Sequence, residues 1–370
     1  MNKPLVISAP REGIAQSVHV GFENVRNLDI SSIPGICRLN NIMVKKSSNT
    51  VTAQVNWIVR DPVTPANIYA LDTNGVVYNS ANSGSTWASL SDRGGSGQGM
   101  AIWKNYLFVA EDTTIDTYGP LDGSPSWGNN WAGLTLDTDA TWHPMLVSNN
   151  DNKLYIGAGK YIASVDENTG QTFAPGTGAT YTATAQALDL PPSYRIKCLA
   201  ELGNYLIMGT WQGTAVTDIR SANIFSWDRS SVSFGQPIIL NEYGIHALFN
   251  NGNSLIVLAG TSGTIYKSDG VNAWPIAHIP TDLSGGKYLE WYPGAICGYK
   301  DKVFFGVGNG GTTIIDGQGI YSLEQTSKGN ILTLEHMMST ENMGATSAKV
   351  TALLPITRDT LLCAWRSGDA

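Results

Sequence analysis

Charge is scarce in this sequence. Only 14% of its 370 residues are Asp, Glu, Lys or Arg, against about 25% in an average domain. The formal balance is −7, whereas a nucleic-acid groove needs clustered Lys and Arg. The one basic pair, Lys45-Lys46, reads as an edge-strand or loop tip. Cysteine is sparse too. Cys37, Cys198, Cys297 and Cys363 lack the C-x-x-C spacing of a metal site, and the last three lie in apolar runs where a free thiol packs as a small hydrophobe. The five histidines are scattered without the i, i+4 or H-x-H spacing of ligands. No G-x-S-x-G elbow occurs. No apolar run approaches the ~18 residues that span a bilayer, and residues 1–8 hold too short an apolar run for a signal peptide. The expectation is therefore a chain with no catalytic constellation, no metal, no cofactor, no nucleic-acid partner and no membrane span.

What is abundant is turn and ring. Forty Gly and 16 Pro punctuate short apolar runs, and 11 Trp and 15 Tyr supply large side chains of the kind that anchor sheets. From about residue 51 a unit recurs, and repeats at such periods point to stacked or radial architectures. Each unit has an apolar strand, a polar turn, a second strand rich in small residues, then Gly and a third strand. The turn residues are Asn67, Asn105, Asn152, Asn204, Asn253, Asp301 and Asp359, spaced 38 to 58 residues apart. Second strands such as Tyr106-Leu107-Phe108-Val109-Ala110 and Ser254-Leu255-Ile256-Val257-Leu258 are apolar on both faces, hence buried on both faces. Five units close on an aromatic ring: Trp87, Trp127, Phe173, Trp227 and Trp274.

Seven units of this size match four-stranded blades. The predicted fold is all-β: a seven-bladed β-propeller of four-stranded antiparallel blades over residues 51–370. A β-sandwich or solenoid is the competing architecture. The last unit, from residue 350 on, has room for two strands only, and folded chains avoid exposed sheet edges. Residues 1–50 read as an extended N-terminal arm with a Pro34-Gly35 turn. Residues 18–58 are expected to supply the missing strands and close the ring. The alternative is a piece of a longer protein.

The stretch Ser80-Ala81-Asn82-Ser83-Gly84-Ser85-Thr86-Trp87 resembles the Asp-box, or BNR repeat, of sialidase-like propellers, with Asn82 where the pattern has Asp. Looser copies run from Ser164 to Phe173 and from Ser268 to Trp274. The resemblance implies a structural hairpin in which Ser80, Asn82, Gly84, Thr86 and Trp87 hold the turn, rather than an active site. Tyr194-Arg195-Ile196-Lys197 looks like the Phe/Tyr-Arg-Ile-Pro motif of sialidases, but Lys197 replaces Pro and the motif lies mid-chain. A Tyr-Glu nucleophile pair has Glu242-Tyr243 as its candidate, and neighbours in an extended chain face opposite ways. Asp137, Asp139 and Asp151 with Asn149, Asn150 and Asn152 are oxygen-rich, without the spacing of a known Ca²⁺ loop. The glycines at 94–99 and 306–311 lack the Lys-Ser/Thr of a phosphate loop and read as inter-blade loops. His143 and His246 read as hydrogen-bonded sheet residues.

In style, a leading arm followed by a low-charge, cysteine-poor propeller resembles virion structural proteins of tailed phages. The expected role is a non-enzymatic structural or docking propeller of a larger assembly, a phage virion or tail component made in the host cytoplasm. Its partners would be other protein subunits, in a homo-oligomeric ring or otherwise, and a glycan at the channel mouth. The alternative is an extracellular carbohydrate-active propeller, either a sialidase-like hydrolase or a glycan-binding lectin.

Overall fold

A computed structural model describes residues 28–29, 38–39, 51, 53–130, 134–137, 141–176, 178–212, 222–281, 283, 287–310, 317–327, 329–338 and 348–367. Within the arm, β1 (Leu28–Asp29) and β2 (Arg38–Leu39) pair with each other antiparallel; the rest of residues 1–50 lies outside the described residues.

All sheets are antiparallel and each is built from consecutive strands, because short polar turns let every strand fold back on its predecessor. Blade one holds β3 to β6 (Val55–Arg60, Ile68–Asp72, Val76–Ser80, Ala88–Asp92). Blade two holds β7 to β10 (Gly97–Trp103, Tyr106–Glu111, Thr114–Gly119, Ser126–Gly128). Blade three holds β11 to β14 (Met145–Val147, Leu154–Ala158, Tyr161–Glu167, Tyr181–Asp189). Blade four holds β15 to β18 (Tyr194–Leu202, Tyr205–Gln212, Ala222–Trp227, Ile238–Leu240), and blade five β19 to β22 (Ile245–Asn250, Leu255–Ala259, Thr264–Ser268, Ala273–His278).

Blade six has a broken first strand. Both β23 (Leu289–Glu290) and β24 (Ile296–Tyr299) pair with β25 (Lys302–Asn309), followed by β26 (Gly319–Thr326) and β27 (Gly329–Met337). Blade seven consists, among the described residues, of β28 (Ala348–Thr357) and β29 (Thr360–Ser367).

The first strands pack one against the next in order, and β28 returns to contact β3. That last contact makes the arrangement a ring rather than a sandwich or an open stack. Leu353 N donates to Gly294 O at 2.9 Å, and the Thr351 hydroxyl donates to Val55 O across the seam. Residues 55–58, within the stretch expected to complete the last blade, instead belong to blade one as part of β3. What the remainder of the arm does at the seam lies outside the described residues.

Second strands sit between first and third strands with a neighbouring blade on each face, so β4, β12 and β20 are buried along their whole length. The apolar clusters accordingly lie between blades. One joins Phe108 and Ile115 of blade two to Leu154, Ile156 and Phe173 of blade three. Another joins Ile256 and Ile265 of blade five to Phe305 and Tyr321 of blade six. Each fully buried side chain of this size contributes roughly 1.5–3 kcal/mol. The strands crowd so closely near the axis that a Cβ on Gly99 would overlap the carbonyl oxygen of His143. The glycines of 97–99 and 306–308 thus lie within β7 and β25 as points of inter-blade approach rather than in loops.

Candidate functional site at the central axis

Antiparallel order fixes which end of the propeller each turn occupies. Every first strand starts at one end, and the turn between third and fourth strands lies at the other. The Ser80–Trp87 stretch links β5 to β6 and so stands at the far end from the first-strand starts. Its bonds are local. Asn82 Oδ1 accepts from Ser80 Oγ at 3.0 Å and from Thr86 N at 2.8 Å, while Asn82 Nδ2 donates to Thr86 Oγ1 at 2.8 Å. Gly84, at φ +84°, donates its N–H to Ser80 Oγ at 2.9 Å. Trp87 packs against the Val55, Ala70 and Tyr78 cluster of blade one, on which Ala364 of blade seven also packs. This is a turn consuming its own polar groups.

The first-strand starts behave differently. Register skips one residue in the first strands of blades one, two, four, five and seven: Asn56, Gln98, Lys197, His246 and Thr351. A bulge leaves its extra residue unpaired and re-aims its side chain. Here it does so with a polar residue each time, at the same end of the ring. Blade three adds Trp142 and His143 just before β11. Blade six adds Glu290 and Tyr292 at its strand break.

Trp142 lies among them. Its ring is edge-on to Trp57 of blade one at 6.1 Å and to Tyr292 of blade six at 6.2 Å, and the Lys197 ammonium of blade four stands 5.4 Å from its centroid. One indole therefore touches three blades across the axis. Lys197 Nζ is 2.7 Å from His246 Nδ1. Burial lowers the Lys197 pKa to about 8, against the opposing pull of Glu290. Burial first, and Lys197 second, hold His246 well below the usual imidazole range, so it is neutral at pH 7. Glu290 is already engaged, accepting from Tyr292 OH at 2.8 Å and pairing with Lys349 at 2.9 Å. Gln54 Nε2 donates to Asn56 Oδ1 at 2.7 Å.

The other sequence candidates are not drawn together here. Arg195 Nη1 donates to Pro192 O at 2.8 Å and Tyr194 O at 3.0 Å, a cap on its own loop. Glu242 accepts from the Tyr266 hydroxyl at 2.8 Å. Asp151 accepts from Tyr155 OH at 2.6 Å and lies beside Arg229, which also pairs with Glu201; a guanidinium already fills that oxygen-rich corner. Asp137 abuts Gly159, and Asp139 lies outside the described residues. In the looser turn copies, Asp269 Oδ1 accepts from Val271 N at 2.9 Å and Asn272 N at 2.7 Å, whereas at the other copy Glu167 Oε1 accepts from Phe173 N at 2.8 Å. Cys198 and Cys297 are buried free thiols, Cys363 is partly exposed, and Cys37 is outside the described residues.

His143 bears out the expectation of a bonded sheet residue, with both ring nitrogens on carbonyl oxygens, Gly157 O at 2.9 Å and Asp112 O at 2.6 Å. His246 departs from it. Its Nδ1 meets Lys197, but its buried Nε2 has no hydrogen-bond partner among the described residues. Lys197 entered the sequence reading only as the residue displacing a motif proline, and Trp142 not at all. The signal that could have found them is one polar residue interrupting the apolar first strand of successive units.

The ring closure and blade order define a seven-bladed β-propeller, and solved structures agree. The chain is similar to the WD40 repeats of RRP9 (TM-score 0.54, 11% identity, 85% of this chain and 88% of that one). It is similar also to YCF48 in a structure with a D1 peptide bound (TM-score 0.52, 11% identity, 85% and 90%). A glycoside hydrolase of family GH74 from Niastella koreensis matches at a TM-score of 0.50 and 14% identity over 80% of this chain and 50% of that one, so this chain spans half that enzyme's length. Identities this low establish the fold alone. No family model and no curated protein matches the chain.

Proposed function

We propose that this chain is a non-enzymatic docking propeller, a subunit of a larger protein assembly, and that the assembly is a tailed-phage virion or its tail. The observation that carries the docking part is an apolar rim. The outer strands β22 and β27 of neighbouring blades meet, and leave Trp274 40%, Ile331 43% and Leu334 36% exposed. Two other closing rings are turned inward, Phe173 at 3% exposed and Trp227 at 5%, while Trp87 and Trp127 are half-buried. Contiguous exposed apolar residues mark interaction surfaces. Propellers that bind peptide occur among the structural neighbours, as the YCF48 complex with a D1 peptide illustrates. The phage part rests on composition and on the leading arm, and the Ser80–Trp87 turn fits a structural Asp-box.

Two measurements test this. Sedimentation of the chain against its Trp274→Ser/Ile331→Ser variant should show self-association or partner binding that the variant loses while its melting temperature is kept; equal behaviour of the two forms removes the docking surface. Electron microscopy of the purified source particle should show ordered copies of the chain. Its absence from the particle would remove the virion assignment. The hydrolase alternative would instead need turnover of a glycoside that changes with substitution at the axis.

A further inference from the structure

We propose that the first-strand end of the central axis, between Trp57, Trp142, Lys197 and His246, is a binding site for a carboxylate, supplied either by an acidic peptide or by a small organic acid.

An ammonium has three N–H donors. Lys197 spends one on His246 Nδ1, and no carboxylate stands within ion-pair distance of it among the described residues. A His that accepts at Nδ1 carries its proton on Nε2, and that N–H is buried with no acceptor among the described residues. The indole N–H of Trp57 is likewise buried without one among the described residues. Trp57 and Lys197 both flank the ring of Trp142, and His246 adjoins Lys197. At these residues donors outnumber acceptors; the one bulge residue with a buried acceptor unpartnered among the described residues is Gln98, through Oε1, on blade two.

Buried polar groups are almost always bonded, and a half-desolvated cation without a counter-charge is costly. The nearest carboxylate, Glu290, is committed to Lys349 and Tyr292. Its negative field also sets the charge of the missing group. One cation, partly offset by Glu290, matches a monoanion better than a dianionic phosphate. A flat aromatic wall beside the ammonium suits a planar group. Lys197 and Trp142 both retain partial exposure, so solvent reaches the site. The inference holds whichever assembly the propeller serves.

The test is a titration of the full-length chain, followed by its indole N–H resonances, with sodium acetate, with sodium chloride at matched ionic strength, and with an acidic Glu/Gly hexapeptide. Acetate and the acidic peptide should each give a saturable shift of two indole signals, and chloride should not. Lys197→Met should weaken both by at least about tenfold, and Lys197→Arg should retain them. A peptide bound at least about tenfold more tightly than acetate identifies a peptide source, and equal affinities identify a small acid. A shift with chloride equal to that with acetate, no saturable shift with either carboxylate, or an unchanged response in a folded Lys197→Met protein overturns the proposal.

Discussion

Lys197 and His246 occupy the bulges of adjacent blades, and their side-chain nitrogens stand 2.7 Å apart beside the indole of Trp142. A cation held against a neutral ring, with Glu290, the one carboxylate acting on it among the described residues, paired elsewhere, is a local cost to folding.

That cost has a pH signature. The folded-state pKa of Lys197, about 8, lies below the ordinary value of 10.5, so between these values the unfolded chain binds more protons than the folded one. Stability from this group therefore rises as pH climbs from 8 to 10.5. Lys197→Met should be more stable than the parent at pH 7, by about 1 kcal/mol or more, and the gap should shrink towards pH 10. Urea unfolding at pH 7, 8.5 and 10 checks this.

Glu111 behaves in the opposite sense. Burial, reinforced by Asp116, raises its pKa to about 8, and Oε1 is buried without a partner among the described residues. The folded pKa lies above the ordinary carboxylate value, so the contribution is complete below about pH 4.5 and is lost as pH rises to 8. Glu111→Gln, which stays neutral, should match the parent at pH 4.5 and exceed it at pH 8 by roughly 1–3 kcal/mol. Thermal melts across that range would show a crossover-free, widening difference; a constant difference would refute it.

The Ser80–Trp87 turn should depend on an acceptor at position 82. Asn82→Asp keeps the acceptor for Thr86 N and should change stability by less than about 0.5 kcal/mol. Asn82→Ala removes the acceptor and should cost about 1 kcal/mol. Chemical denaturation of the pair distinguishes them.

Close approach of blades at the axis predicts a sharp positional contrast between glycines. Gly99→Ala should cost about 3 kcal/mol or more, since its methyl would overlap backbone of the next blade. Gly178→Ala meets nothing within 4 Å and has ordinary φ, so its effect should stay within about ±0.5 kcal/mol. Midpoints of urea unfolding for the two variants settle the matter.

Strands, turns and blade number were legible because they are local. All seven apolar second strands, from Ile68–Asp72 to Thr360–Ser367, fall where alternating turns and double-sided hydrophobicity place them. The turns at Asn105, Asn152 and Asp301 carry the positive φ their residue types allow. Trp274, 40% exposed on an outer strand, departs from the buried Phe173 and Trp227, a difference its position in the repeat did not reveal. What sits at the axis was not legible. Residues 57, 142, 197, 246 and 292 are far apart in the chain, and only closure of the ring, with a bulge in five of the first strands, brings them to a common centre. Short-range chemistry determined the blades; the circular packing of blade on blade decided which side chains face one another, and with that where a ligand has somewhere to bind.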